Sequence, residues 1–449
     1  MNLPRLRVPH PLVLLSGFVF LAAVASYVVP AGEFERRYDE VTDRTVVVPG
    51  TYHQVERTPV NAFRALVALP RGLADAGEVV FLVLLVGGAF TVVDETGALR
   101  RAVGWLVRAL HGRDLMVIPV VSLFFALGGI VENMQEEIIA LVPVLMVLTA
   151  RLGFRPLVAA AMSAGPAFVG SAFSPINPFQ VQIAQKVAEL PLLSGAGLRI
   201  AFLVVALAFW IGMTMRYAAA TRIEARAVSA EDEEHLKGAD GPILGLVLVT
   251  FGVVVAGILA WGWGFDELSA AFFLMGIVVG GLAGLGVTGT AEAYVKGFQG
   301  MAYAAVLIGF ARAIFVVLQD GRIVDTMVHA LFTPLEGLPV AASALGMMVA
   351  QALIHVPVPS VSGQAVLTMP VLVPLSDLLG LSRQVTVLAY QYGAGLCDLV
   401  TPTNGALMAI LGVAGVRYEE WMRFTAPLYL ALMALGAVAV VVGIVIGLA

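Results

Sequence analysis

Apolar runs of roughly bilayer length recur along this chain, at residues 11–30, 78–95, 198–216, 242–262, 268–288, 301–318 and 426–448. A spanning helix needs about 20 apolar residues, so the chain reads as an all-α polytopic membrane protein whose solvent is lipid. Composition leaves little alternative: 59% of the 449 residues are hydrophobic and 13% charged, where a soluble domain carries about a quarter charged. The formal net charge of −5 says little about partners, because the location of charge matters more than its sum. No basic tract suggests nucleic acid. The lone Cys397 excludes an intramolecular disulfide and a cysteine-cluster metal site. The first run ends in YVVPAGEFERR, without a small-x-small cleavage site, and reads as a retained span rather than a signal peptide.

Arginines orient the spans. Arg5 and Arg7 precede the first, Arg100, Arg101, Arg108 and Arg113 follow the second, Arg216, Arg222 and Arg226 follow the 198–216 span, and Arg417 and Arg423 precede the last. One topology puts all of them in the cytoplasm, with the N-terminus inside and the C-terminus outside a cytoplasmic (inner) membrane. Residues 31–77 are then external, a small cap in which TVVVPGTYHQV reads as two short strands around a Pro-Gly turn. The polar stretch 217–241, with Glu231–Glu234 together, reads as a cytoplasmic linker between two halves.

The halves share a plan. At a constant offset of 227, without a gap, residues 143–177 match 370–404: Pro143 falls on Pro370, Gly153 on Gly380, Ser174 on Thr401, Pro175 on Pro402 and Asn177 on Asn404. Upstream, AFTVVDETGAL (89–99) resembles AIFVVLQDGRI (313–323), with Gly97 on Gly321. Four arginines follow Gly97 by residue 113, whereas Arg322 is set against Asp325 after Gly321, so charge reads the two repeats as inverted. Residues 1–77 then comprise the first span and the cap, 78–216 the first repeat, 217–241 the linker, 242–300 two scaffold helices, 301–423 the second repeat and 424–449 a final span.

Each repeat holds a pair of short apolar arms around a polar apex: 115–128 and 137–150 around GGIVENMQEE, then 338–354 and 365–378 around HVPVPSVSGQ. An arm of about 14 residues reaches about 21 Å, short of a hydrocarbon core of about 30 Å, so each pair reads as a re-entrant hairpin. Each repeat also holds a helix interrupted by SPINPF (174–179) or TPTNG (401–405), with breaks at Pro175, Pro178, Pro402 and Gly405. Proline removes a backbone donor, and the freed carbonyls and following half-helix N-terminus suit ions and polar substrates. Two apices and two breaks define one central site. Its candidate ligands are Glu136, Glu137, Ser174 and Asn177 from the first half, with Ser360, Ser362, Gly363, Gln364, Asp398, Thr401, Thr403 and Asn404 from the second. Neutral oxygens near Asn177 and Asn404 suit Na⁺ or a carboxylate; no other metal or cofactor is expected. Alternatives stand beside these assignments. Glu136 and Glu137 sit either in the site or at a membrane surface, and Asp398 is a pathway carboxylate or an Asn-like structural partner. His355 reads as a satisfied apex histidine rather than a metal ligand, and Arg312 as paired with an acid in preference to binding substrate.

These blocks carry a family resemblance over nearly the whole chain: PHPLVLLSGFVFLAAVASYVVPAGEF, LLVGGAFTVVDETGA, SPINPFQVQIAQ, and the tail from SGQAVLTMPVLVPL through TPTNGALMAILGV. The chain resembles the YfcC-like branch of the DcuC-type anaerobic dicarboxylate carriers, in the ion-transporter superfamily. That resemblance implies an elevator-type homodimeric secondary carrier for dicarboxylates or amino acids, including basic ones. Two departures bear on substrate: the family's SGSGQ reads Ser360-Val361-Ser362-Gly363-Gln364 here, and its GDG reads Gly393-Ala394-Gly395 with an acid at Asp398 instead. The expected function is a secondary active transporter of a small carboxylate-bearing metabolite, coupled to Na⁺ or H⁺ or working as an exchanger. An ion channel is the alternative. No GxxxxGK[ST] loop supplies an ATPase and no HExxH or nucleophile–base pair an enzyme.

Overall fold

The computed structural model describes residues 10–40, 44–99, 101–102, 113–223, 238–261 and 263–448. Arg5, Arg7, Arg100, Arg108, Arg226 and Glu231–Glu234 lie outside the described residues. Among those described, eight helices are long and apolar enough to cross a membrane, and the protein is a multi-pass membrane protein.

The chain opens with α1 (Pro11–Val28), four short strands, β1 (Gly32–Glu33), β2 (Arg36–Asp39), β3 (Arg44–Val47) and β4 (His53–Gln54), then α2 (Ala62–Asp75) and α3 (Gly77–Glu95). Two short strands flank the Pro-Gly turn, as the sequence suggested, but they do not pair with each other. β3 pairs with β2 and β4 with β1, both antiparallel. Gly50, with φ +74°, turns the chain between the two ribbons instead. Helix α2 was not anticipated within the cap. Asn61 caps it by accepting from Arg64 N at 2.9 Å, and Gly72 lets it lie on a later helix, where a Cβ would come 2.5 Å from Gly309 O.

Next come α4 (Val117–Glu132), α5 (Glu136–Arg151), α6 (Pro156–Ala172), a π-helical turn Pro178–Gln182 running into α7 (Ile183–Val187), and α8 (Ala196–Ala220). The first apex contracts to residues 133–135, because Asn133 adopts φ 67° and ends α4 only after Glu132. With its leading 3-10 turn, the arm Asp114–Glu132 has 19 residues. The short-arm reading therefore does not hold here, nor for the 18-residue Val361–Leu378 helix, which keeps Pro370 and Pro374 inside it.

The second half follows as α9 (Asp240–Trp261), α10 (Phe265–Leu282), α11 (Gly286–Asp320), α12 (Val324–Phe332), α13 (Val340–His355), α14 (Val361–Leu378), α15 (Arg383–Gly395), a 3-10 turn Leu396–Leu399, α16 (Gly405–Val413) and α17 (Tyr418–Val445). Helix α11 runs 35 residues where hydropathy suggested 301–318. The polar TAEAYVKGFQG carries no proline to stop it, so the helix continues back to Gly286.

In each half the helix leading to the apex packs on the helix leading into the break: α4 on α6, and α13 on α15. Both contacts need glycine. A Cβ on Gly129 would stand 2.0 Å from Ala167 O, and one on Gly393 2.3 Å from Met348 O.

Candidate functional site

The breaks form where the sequence placed them, and each is closed by its asparagine. Asn177 Oδ1 accepts from Phe179 N at 2.9 Å and Gln180 N at 3.0 Å, while its Nδ2 donates to Gly129 O at 2.8 Å and Ser171 Oγ at 3.2 Å. Asn404 Oδ1 accepts from Leu407 N at 2.9 Å. Both acceptor positions of Asn177 Oδ1 are thereby taken, whereas Asn404 Oδ1 accepts one bond only. Side chains pin each break to its own apex: Ser174 Oγ donates to Ile130 O at 2.7 Å, and Thr403 Oγ1 donates to Val356 O.

A cavity of about 850 Å³ opens at the two apices and the second break. Of the residues singled out in the sequence, Glu136, Glu137, Ser360, Ser362, Gly363, Asp398, Thr403, Asn404 and Gly405 line it. Ser174, Asn177, Gln364 and Thr401 do not; all four are buried within the packing around it. The expected shared exposure of Asn177 and Asn404 is therefore not met, because Asn177 spends every polar atom on the first break.

Asp398 is the hub of the site. Its Oδ2 accepts from Gln135 Nε2 at 2.9 Å, and its Oδ1 meets Asn404 Nδ2 at 2.7 Å and His355 Nε2 at 2.9 Å. Asn404 Nδ2 also reaches Gln135 Oε1 at 3.1 Å. One carboxylate thus ties the first apex, the second apex and the second break. Behind it, Cys397 is buried, with Sγ 3.6 Å from Ala352 O and 3.3 Å from Tyr429 Oη. A small membrane-permeant maleimide should leave this thiol unlabelled in the folded protein, with or without substrate. Substrate-sensitive labelling would put the Cys397 face back on the pathway.

The cavity wall is strongly acidic. Glu33, Asp75, Glu78, Glu132, Glu136, Glu137, Asp325 and Asp398 line it against Arg36, Arg312 and Arg322. All three arginines are already matched: Arg36 to Asp325 at 2.8 Å, Arg322 to Glu33 at 3.1 Å, and Arg312 to Asp75. No Lys or Arg among the described residues pairs with Glu132, Glu136 or Glu137. Glu137 is 5% exposed and its Oε2 has no partner. An uncompensated buried carboxylate is costly and calls for a cation or a proton.

The cap supplies part of this wall, which the sequence did not suggest. Besides the Arg36 pair, Phe34 N donates to Asp325 Oδ2 at 2.9 Å, and Tyr52 stacks on His329 with ring centroids 4.1 Å apart. Glu132 lies within the apex GGIVENMQEE but was passed over, because only the fold shows that it ends α4 facing the cavity. Arg312 is paired with an acid as expected, but its partner and the other charge pairs were missed because their members lie far apart in sequence, 289 residues for Arg36 and Asp325.

Comparison with known proteins adds the following. The chain matches the DcuC family model, described as C4-dicarboxylate anaerobic carrier, over residues 8–445. It is 32% identical over 487 aligned residues to the Escherichia coli (strain K12) protein named "Putative basic amino acid antiporter YfcC", covering 97% of this chain and 96% of that one. Among solved structures, the YdaH transporter of Alcanivorax borkumensis aligns over 98% of this chain and 99% of that one, at 18% identity and TM-score 0.46. The Neisseria gonorrhoeae protein MtrF, described with a class of antimetabolite efflux pumps, aligns over 96% and 95%, at 19% identity and TM-score 0.43.

Proposed function

The chain belongs to the C4-dicarboxylate anaerobic carrier family, a family of transporters and not of enzymes, and from that premise we propose that it is a secondary antiporter of a cationic amino acid. The observation that carries this reading is the cluster of unmatched carboxylates, Glu132, Glu136 and Glu137, beside Asp398 in one cavity. A C4 dianion brought against these groups meets like charge at short range, whereas an ammonium or guanidinium neutralises them. The name of the Escherichia coli relative points to the same class of substrate. The substrate's own carboxylate has Arg312 and Arg322 on the same wall, each reachable by exchange with its acidic partner.

The mechanism proposed is alternating access by two inverted repeats, supported by the offset of 227 and by the equivalent caps at Asn177 and Asn404. The apex and break units of both halves then move as one elevator-type body against the long helices. Inward- and outward-facing structures with the cavity at unchanged depth would refute that motion.

The reading is tested on purified protein by thermal shift, with arginine and succinate as probes. Arginine should stabilise the fold, by about 2.7 kcal/mol at a concentration of about 100 Kd, and succinate should not. Counterflow of labelled arginine in proteoliposomes should follow. Stabilisation by succinate alone would overturn the assignment.

A further inference from the structure

His355 is fully buried at the end of α13, outside the cavity lining, and bonds to two groups only. Its Nδ1 lies 3.0 Å from Gln364 Oε1 and its Nε2 lies 2.9 Å from Asp398 Oδ1. Which of these contacts carries a proton follows from backbone groups whose roles are invariant. Gln364 Nε2 lies 2.7 Å from the backbone carbonyl of Gln351. A carbonyl only accepts, so that end of the Gln364 side chain is the NH₂ and its other end, facing His355, is an acceptor. Gln351 agrees: Thr368 Oγ1 gives its proton to Gln364 O at 2.7 Å, so it accepts from Gln351 Nε2 at 2.7 Å, and Gln351 Oε1 turns to the Gln364 amide. His355 Nδ1 must therefore bear hydrogen.

The same accounting governs the other side. Asn404 Oδ1 accepts from Leu407 N, so Asn404 Nδ2 is a donor to Asp398 Oδ1 and to Gln135 Oε1. Gln135 Nε2 is then the donor to Asp398 Oδ2. With Nδ1 protonated, a neutral imidazole presents a bare lone pair at Nε2, and a carboxylate presents another at Oδ1. Two lone pairs do not hold a contact of 2.9 Å. One more proton lies between them, as imidazolium with carboxylate or as imidazole with carboxylic acid.

We propose that the His355–Asp398 pair is a proton-binding site, and that its proton is the ion exchanged for substrate. The step balances simply: the proton passes from the pair to water in the cavity, leaving neutral Nδ1–H imidazole and aspartate. Loss of that proton replaces a hydrogen bond by opposed lone pairs, so the end of α13 loses its hold on the 3-10 turn Leu396–Leu399. The other tautomer offers no escape, because a bare Nδ1 would then face Gln364 Oε1. Substrate charge supplies the trigger. Asp398 lines the same wall as Glu132, Glu136 and Glu137, and a cation drawn to those carboxylates favours departure of a positive charge from the pair. The remaining charged lining groups, Arg36, Arg312 and Arg322, are held by Asp325, Asp75 and Glu33, and Glu78 completes the wall; on the far side of the turn Cys397 is bonded to Tyr429. None of these substitutes for the missing proton.

The proton itself is read without substrate, by ¹⁵N NMR of histidine-labelled protein in detergent or nanodiscs. The His355 signal is assigned by its loss in His355→Gln or, where that chain does not fold, by replacing the remaining histidines with glutamine. Nδ1 should give the shift of a protonated nitrogen at neutral pH, and Nε2 that of a nitrogen protonated or hydrogen-bonded to a carboxylic acid; a bare, unbonded Nε2 beside a protonated Nδ1 would overturn the proposal. A bare Nδ1 with protonated Nε2 would overturn the proposal, since aspartate then accepts from neutral histidine and no extra proton exists. Coupling rests on the antiporter reading and is measured separately, as proton release on adding arginine in two buffers of different ionisation enthalpy. The wild type should release about one proton per arginine bound, and Asp398→Asn should release none. Arginine binding without proton release would overturn the coupling while leaving the substrate assignment intact. A protonated Nδ1 in a protein that binds no cationic amino acid would do the reverse.

Discussion

Asp398→Ala should abolish transport and lower stability by about 3–5 kcal/mol, because it strips a buried charged network of its common acceptor. Gln135 Nε2, Asn404 Nδ2 and His355 Nε2 all lose this shared acceptor at once. These groups come from the first apex, the second break and the second apex, so the damage is to the meeting of two halves rather than to one helix. Asp398→Asn should be milder, at about 1–3 kcal/mol. Neither orientation of an amide satisfies all three neighbours, since Gln135 and Asn404 both present fixed donors, one to each oxygen. Transport should nevertheless be lost in both variants, because neither holds an exchangeable proton. The measurements are the thermal unfolding midpoint in detergent and uptake of labelled arginine into proteoliposomes driven by a pH gradient. Proton-driven uptake by Asp398→Asn at the wild-type rate would remove Asp398 from the mechanism.

Much of this molecule is legible in its sequence because lipid imposes simple rules. Spans such as Gly77–Glu95 and Ala196–Ala220 announce themselves by length and lack of charge. The breaks at Pro175 and Pro402 announce themselves because proline and asparagine have few other reasons to recur together in apolar surroundings. What could not be read was decided by contacts between distant residues. Nothing in HVPVPSVSGQ or in LCDLV alone says that His355 and Asp398 touch, and Arg312 finds its acid on a helix, α2, hidden inside a stretch that looked like an external cap. Helix limits failed for a related reason. Glu132 extends α4, and polar residues extend α11, because a helix ends where its backbone is capped and not where its side chains cease to be apolar. The sequence alone also treated Asn177 and Asn404 as equal partners, since saturation of a side chain by Gly129 O or Ser171 Oγ is invisible without the fold.

That inequality sets the expected outcome of the paired substitutions. Asn177→Ala removes an N-cap serving two backbone donors, worth about 1 kcal/mol, and takes one of the two hydrogen bonds each from Gly129 O and Ser171 Oγ, which keep their bonds to Asn133, at about 1 kcal/mol more. The loss falls on the contact between α4 and the first break, and reaches the cavity only through Phe179 N and, by way of Ser171, Asn133, not through any of the carboxylates. The variant should melt earlier, and the folded fraction should bind arginine within about threefold of wild type, a change of under about 0.7 kcal/mol. Asn404→Ala also removes a cap, from Leu407 N, yet its other losses fall on Asp398 and Gln135 at the cavity. Freed from Asn404, the Asp398 carboxylate and the Gln135 amide each lose a hydrogen bond that fixes them at the cavity wall they share with Glu136 and Glu137. Arginine affinity should then fall about tenfold or more, which is about 1.4 kcal/mol or more. Both variants are compared by thermal melting and by titration of arginine against protein passed through size exclusion, so that only folded material is counted. Equal losses of affinity in the two variants would restore the symmetric site read from the repeat. A loss confined to Asn177→Ala would move the binding centre to the first break, away from the acidic cavity.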